Sequence, residues 1–321
     1  MIPARSRIAL VTCRPQPGVR VDPDLPGLWR ALGEAGAEAD AVCWDDPAID
    51  WASYDLAVIR STWDYTWRTD AFTAWADRCG ALTRLVNPPQ VVRWNTDKRY
   101  LGDLAAAGVP VVRTRYLSPE DIAAGARPWE PGEPGNWKGP EEPGEPDGGE
   151  YVIKPTAGAG GRYAARYRTA DPGAAEAAGQ HLARLAADGL TAMVQPYVRR
   201  IDTTGERALL FFGGRLLHAI RKGAVLVPQT AYDAKKNAHP DPRPWEPTRA
   251  ELDVAERALA AVPGAPELLY ARVDLVDGAD GRPRVMELEL VEPNLFLSVH
   301  PGSLSQVVEG VLKAAAVIRP H

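Results

Sequence analysis

Apolar positions in the first ninety residues switch between two periods. Ile8–Cys13 is a continuous apolar run of strand length, and Gly27–Ala39 spaces its apolar residues near 3.6, which predicts a helix. Leu56–Ile59 predicts a second strand and Ala71–Cys79 a second helix. Strands alternating with helices favour a parallel sheet. Trp94–Ala107 continues the helical spacing, with Asn95 and Thr96 as N-cap candidates and Gly108 and Pro110 as its stop. Val111–Leu117 reads as the next strand.

Arg127–Glu150 breaks the rhythm. It is crowded with Pro, Gly and Glu, and predicts a mobile insertion without a core of its own. From Tyr151 the pattern becomes strands joined by turns. Tyr151–Lys154 is a strand opening into a glycine-rich loop, Ala174–Asp188 a helix, and Met193–Val198 a strand. Glu206–Phe212 and Arg215–Lys222 flank Gly213-Gly214, a two-residue hairpin signal. That turn sets Phe212 opposite Arg215 and, counting back, Glu206 opposite Arg221, a cross-strand ion pair worth about 0.2–1 kcal/mol. Leu268–Val276 and Arg284–Val291 form a second hairpin across Asp277–Arg282.

Composition narrows the partners. The 321 residues suit two or three domains, and a net charge of -5 argues against a nucleic-acid partner. Cys13, Cys43 and Cys79 have no CxxC spacing, which points to reduced thiols rather than zinc or a disulfide framework. The five histidines lack metal-like spacing. No apolar stretch is long enough to span a bilayer, and the N-terminus lacks a signal-peptide core, so the expectation is a cytoplasmic protein with no membrane partner.

The second hairpin carries the densest chemistry. Alternation places Arg272 and Asp274 on one face of their strand, opposite Val273 and Leu275. Glu287 and Glu289 likewise share a face opposite the aliphatics. Antiparallel pairing brings the two polar faces together, so three carboxylates and one arginine converge. Gathered carboxylates repel unless a cation offsets them, and hard oxygen ligands without His or Cys indicate Mg²⁺. A solvated hairpin face shows the same alternation. Upstream, Lys154 ends a strand just before Thr156-Ala157-Gly158-Ala159-Gly160-Gly161. Such a loop brings backbone N–H groups close to phosphates, and the lysine adds a point charge. The loop is not a Walker A sequence, and an ordinary glycine turn remains the alternative. Gln195, Tyr197 and Val198 offer backbone and a polar group to an adenine edge, and Asp202 or Glu206 a carboxylate to a ribose. Arg60, Asp64 and Tyr65 follow a strand end, where ligands sit in open α/β sheets, or else pack at a domain interface with Trp63 and Trp67.

In this order the pieces resemble the ATP-grasp superfamily. Gln195–Lys222 is similar to the matching section of bacterial-type glutathione synthetases. The motifs Arg60-Ser61-Thr62-Trp63-Asp64-Tyr65, Asn87-Pro88, Trp94–Leu101, Tyr270–Val276 and Glu287 through Leu297 most resemble the cyclo-ligases of cycloserine biosynthesis and their relatives. The resemblance implies an α/β (α+β) ATP-grasp fold with a Rossmann-like N-terminal pre-ATP-grasp domain, a small lid and a larger C-terminal domain. The expected boundaries are 1–92 for the substrate-binding domain, 93–115 for a linking helix and strand, 116–194 for the lid including the 127–150 insertion, and 195–321 for the metal and nucleotide domain. It also implies ATP and Mg²⁺. Lys98 on its helix, Lys154 and the loop glycines Gly158, Gly160 and Gly161 would meet phosphates, and Gln195, Tyr197 and Val198 the adenine. Asp202 or Glu206 would hold the ribose, and Asp274, Glu287 and Glu289 the metal. Arg272, with Arg221 or Lys222, would stabilise developing charge, and Arg60, Asp64 and Tyr65 would bind substrate. Glu289 stands where the family often has Asn.

The implied activity is C–N bond formation after ATP-driven phosphorylation of a carboxyl or carbamoyl-like group, on a small amino-acid-like substrate. The intramolecular form closes a ring, and the intermolecular form makes a peptide or amide. An ATP-dependent phosphotransferase would present the same nucleotide site. A non-catalytic nucleotide-binding module fits less well, because Arg272, Asp274, Glu287 and Glu289 are all present. The oligomeric state stays open, a homodimer being one compatible state.

Overall fold

The computed structural model describes residues 5–14, 22–128, 137–138, 149–226 and 241–317. Among them, strands β1 (Arg7–Thr12), β2 (Glu38–Cys43), β3 (Leu56–Ser61) and β4 (Arg84–Val86) form a parallel sheet in the order β2-β1-β3-β4. Helices α1 (Leu25–Glu34) and α2 (Thr69–Leu82) supply crossovers. The helix expected over Gly27–Ala39 is therefore shorter. Gly36, at φ 93°, turns the chain, and Glu38 and Ala39 enter β2. Alanines and glutamates at helical spacing had concealed that break.

The helix expected over Trp94–Ala107 is two, α3 (Pro89–Asn95) and α4 (Tyr100–Ala106). Asn95 ends α3 rather than capping a helix start, and Lys98 lies between the helices. There its backbone N–H donates to the Thr156 carbonyl at 2.9 Å, a long-range bond that outweighs local helix propensity. Gly108, at φ 79°, ends α4 as expected.

A second sheet holds β5 (Thr114–Leu117), β6 (Trp137–Lys138), β7 (Glu150–Pro155), β8 (Ala165–Arg168) and β9 (Ala192–Pro196) in the antiparallel order β6-β5-β9-β7-β8. Val111, expected in β5, instead makes an isolated bridge to Val285. Most of the 127–150 insertion lies outside the described residues. The sheet packs on α6 (Ala174–Ala187), with α5 (Pro119–Ala123) alongside, around a core that includes Ile153, Tyr167, Leu182 and Val194.

His181 of α6 is fully buried against the Tyr167 hydroxyl at 3.0 Å, and burial pushes its imidazole down to about 4. The unfolded chain therefore takes up this proton first. Stability present above pH 6.5 is lost as pH falls toward 4, by up to about 3 kcal/mol for a shift of this size. The expected result is that His181→Gln flattens the fall of the urea midpoint across that window. An unchanged slope would contradict this account.

The third sheet is antiparallel, in the order β12-β11-β10-β13-β14, built from β10 (Glu206–Phe212), β11 (Arg215–Lys222), β12 (Arg243–Trp245), β13 (Tyr270–Asp277) and β14 (Pro283–Glu289). It follows the short helix α7 (Ile201–Thr204). One face buries Leu209, Phe211, Val273, Leu275 and Leu288 with α8 (Arg249–Ala260). On the other, Ala208, Leu210 and Ile220 share a core with α9 (Leu304–Ala316), α1 and the first sheet. The first and third sheets are thus joined by continuous apolar packing.

Gly213 and Gly214, at φ 57° and 76°, make the expected tight turn, and Phe212 pairs with Arg215. A bulge follows. Phe211 pairs with Leu216 and Leu210 with His218, leaving Leu217 extra. Glu206 therefore faces Lys222, not Arg221 as expected, and ion-pairs with it.

Candidate active site

The second hairpin places Arg272 opposite Glu289 and Asp274 opposite Glu287. Burial of Val273 and Leu288 against α8 turns the charged residues to the other face. Oxygens of Asp274, Glu287 and Glu289 lie within 4.8 Å of one another. Another bulge sits here. Leu275 pairs with Val285 and Asp274 with Glu287, so Met286 is extra and lines the cavity instead of the apolar face that strict alternation assigns it.

β14 is an edge strand, and groups from the preceding segment occupy its free edge. The Leu288 N–H donates to the Tyr100 hydroxyl at 2.9 Å, and the Leu290 N–H to Asn95 Oδ1 at 2.7 Å. Asn95 Nδ2 donates to the Leu288 carbonyl, and Asn87 Nδ2 to the carbonyls of Leu290 and Tyr270. The motif residues Asn87, Asn95 and Tyr100 thus clamp the strand that carries the carboxylates.

Each of the three carboxylates has a cation. Asp274, 1% exposed, receives Arg272 Nε and Nη2 at 2.9 Å and Lys222 Nζ at 2.8 Å. Burial alone would raise its carboxyl, but Arg272 and Lys222 hold it well below the usual carboxylate range. Glu287 meets Lys98 Nζ at 3.1 Å, and Lys98, with Lys154, outweighs burial to lower it. Glu289 ion-pairs with Arg272, yet burial and the neighbouring Glu287 and Asp274 push it up to about 8. Burial and Asp274 likewise push Glu206 up to about 7 against the pull of Lys222.

These groups face a cavity of about 290 Å³ between the second and third sheets. Lys98, Lys154, Gly158, Gly160 and Gly161 line one wall, and Gln195, Tyr197 and Val198 the connection between the sheets. Arg272, Asp274, Glu206, Glu287 and Glu289 complete the polar lining. Lys98 Nζ also donates to the Gly158 carbonyl at 2.6 Å, tying the glycine loop to Glu287. The Lys154 ammonium makes no hydrogen bond or ion pair among the described residues, and desolvation lowers its pKa.

Other expected residues are not brought to the cavity. Arg221 donates to the carbonyls of Thr203 and Thr204 at 2.9 and 2.7 Å, closing the end of α7. Lys222, fully buried, lies behind Asp274 rather than on the lining. Asp202 accepts from the Tyr197 hydroxyl outside it. Arg60, Asp64 and Tyr65 are all buried and none lines it. Arg60 reaches Asp22 and the Pro293 carbonyl, each at 3.4 Å. Asp64 accepts from Trp44 Nε1 at 2.8 Å and pairs with Arg68. Tyr65 donates to Glu292. Arg60 and Tyr65 thus hold the loop that does line the cavity, through Glu292, Asn294, Phe296 and Ser298. Trp63 and Arg162 also line it and were not singled out. Trp63 had read only as a residue seeking burial, and the left-handed backbone of Phe296, at φ 52°, leaves no trace in the sequence.

A parallel-sheet domain followed by two antiparallel sheets that enclose a strand lysine, a glycine loop and a carboxylate hairpin defines an ATP-grasp ligase. Residues 8–87 match the family described as D-cycloserine synthetase DcsG, N-terminal domain. Cycloserine biosynthesis protein DcsG of Streptomyces lavendulae is 37% identical over 286 residues, 87% of this chain and 89% of the relative. The crystal structure of D-cycloserine synthetase DcsG superposes with a TM-score of 0.80 at 34% identity, covering 97% of this chain and all of that one. The ATP-grasp ligase PsnB, solved with a phosphomimetic variant of its minimal precursor, Mg and ADP, shares the fold at a TM-score of 0.59 and 18% identity, over 96% of this chain and 98% of that one. The chain belongs to the DcsG family of ATP-grasp ligases. No helix of the described residues is long and apolar enough to cross a membrane.

Proposed function

We propose that this enzyme serves antibiotic biosynthesis, as the names of its DcsG relatives suggest, and uses ATP to phosphorylate a carboxyl or carbamoyl-like group of a small amino-acid derivative, with release of ADP; an amine then attacks that carbon, forming the C–N bond as phosphate leaves. Ring closure within one molecule is the form we favour, because a relative 37% identical is a cycloserine biosynthesis protein and a structure 34% identical is a D-cycloserine synthetase. The observation that carries the nucleotide site is the carboxylate hairpin facing the same cavity as Lys154, a half-buried cation without an ion pair among the described residues, and the DcsG relatives support a ligase over a phosphotransferase at that site.

Oxygen donors from three carboxylates within 4.8 Å fit magnesium, and Asp274, Glu287 and Glu289 would hold it. When bound, it offsets phosphate charge and polarises phosphoryl oxygens. Lys154 and Lys98 bind and align the phosphates of ATP, while N–H groups of the Gly158–Gly161 loop approach them closely. Gln195, Tyr197 and Val198 receive the adenine, and Glu206 is the cavity carboxylate nearer to a ribose role than Asp202. Arg272 stabilises the oxyanion formed when the amine attacks. Lys222 acts from behind the lining by keeping Asp274 ionised. The 116–194 segment serves as the lid, and its closure excludes water from the activated intermediate.

The test is release of ADP and phosphate by the purified protein with Mg-ATP across a panel of amino acids that includes O-ureido-D-serine, with product masses read in parallel. ADP with a cyclised product or an amide supports the ligase. ADP with a stable phosphorylated product would overturn it in favour of a phosphotransferase. ATP binding without turnover of any compound would count against catalysis.

A further inference from the structure

Lys154 is not the only cavity cation without a carboxylate partner. Arg162 lies just past the glycine loop, whose Gly160 and Gly161 sit at φ 64° and 69° and turn the chain toward the first sheet's domain. Its guanidinium lies over the Trp67 ring, 3.5 Å from the centroid, and Nη2 donates to the Thr66 hydroxyl at 2.5 Å. Thr66 is buried, whereas Trp67 is half-exposed. Arg162 also lines the nucleotide cavity, as do Lys98, Lys154 and Arg272.

The contacts constrain the guanidinium in a specific way. A planar guanidinium has five N–H donors on three nitrogens. Stacking on an indole fixes its plane, and one bond to a hydroxyl fixes its rotation. Only Nη2 donates to a described residue, and Nε is buried without a partner. Burial lowers the Arg162 pKa, so the charge stands there at a cost that an anion would offset. Neither Thr66 nor Trp67 carries charge, so neither neutralises it. A packing role alone requires the stack, but not a guanidinium that lines the cavity with Nε and Nη1 unused by any described acceptor.

We propose that Arg162 is a further catalytic residue, which binds an oxyanion in the cavity, either the γ-phosphate of the nucleotide or the carboxylate of the substrate. Its anchorage on Thr66 and Trp67 ties the end of the glycine loop to the segment that follows β3 and holds the guanidinium at the cavity. The proposal rests on the nucleotide-site reading above.

Three measurements on the intact protein separate the outcomes. The first is calorimetric affinity for Mg-ADP and for a non-hydrolysable Mg-ATP analogue, in the wild type and in Arg162→Gln. It needs no substrate, so it stands even if no ligase activity is found. If the γ-phosphate is the anion, the analogue loses about tenfold or more in affinity and ADP is unchanged. The second is steady-state kinetics on whichever panel compound is turned over. If the carboxylate is the anion, substrate KM rises by about tenfold or more, and ATP-analogue affinity holds. The third is Trp67→Leu, which removes the stack and keeps the charge. It is expected to weaken the same ligand two- to fivefold, with Arg162→Lys recovering part of the loss. A variant Arg162→Gln whose two nucleotide affinities, KM and kcat all stay within twofold of wild type, with only its melting temperature lowered, would overturn the proposal and leave Arg162 as a packing residue.

Discussion

Replacing Lys154 by methionine is expected to move activity and stability in opposite directions. The ammonium is half-buried on the cavity wall and meets no acceptor or ion-pair partner among the described residues, and desolvation outweighs the pull of Glu287 to lower its pKa. The charged form is thus worse off in the folded protein than in the unfolded chain. That penalty is full below the folded pKa and fades as pH rises through it toward the unfolded value of 10.5. Methionine keeps the stem and removes the charge. The nucleotide-free variant is expected to gain about 1 kcal/mol at pH 7, read as a melting temperature higher by about 2–4 °C. The gain should shrink in alkaline buffer. ADP release should fall by about a hundredfold or more, the usual cost of losing a group aimed at transferred charge. A destabilised variant with intact turnover would refute both the burial argument and the phosphate role.

The carboxylates of the hairpin should fail in two different ways. Glu287 is a quarter exposed and meets its neighbours from the cavity side. Glu287→Gln should therefore fold normally and lose about two orders of magnitude or more in turnover, with weaker magnesium dependence. Asp274 is 1% exposed and holds two buried cations, Arg272 and Lys222. Asp274→Asn would leave both undercompensated, at about 3–5 kcal/mol. Its loss of activity should come with a lowered denaturation midpoint. Equal stability in the two variants would show that Asp274 is not the structural anchor of the site.

Local signals carried much of this architecture. Apolar runs marked β1, β3 and β7, the Gly213-Gly214 pair marked its turn, and alternation on β13 and β14 marked the polar face. What stayed hidden depends on contacts between distant parts of the chain. Nothing around Lys98 says that its N–H will find Thr156 and break a helix. Leu217 and Met286 look like ordinary strand residues, yet each is the extra member of a bulge. Arg60, Asp64 and Tyr65 have the chemistry of ligand-binding residues but turn inward, and Tyr65 passes its hydrogen bond to Glu292, which lines the cavity. Periodicity reports which way a side chain points only while the ladder is regular.

Those two bulges give the site a tolerance for change in chain length. In a regular strand, losing one residue reverses the phase of everything beyond it and turns a charged floor into the core. On β11 the surplus residue lies between the Gly213-Gly214 turn and Lys222, and on β14 between the hairpin end and Glu287. A one-residue deletion at either place can be absorbed by straightening the bulge, with Lys222 still behind Asp274 and Glu287 still beside it. The hairpin ends of this chain can therefore shorten by one residue without inverting the chemistry of the site.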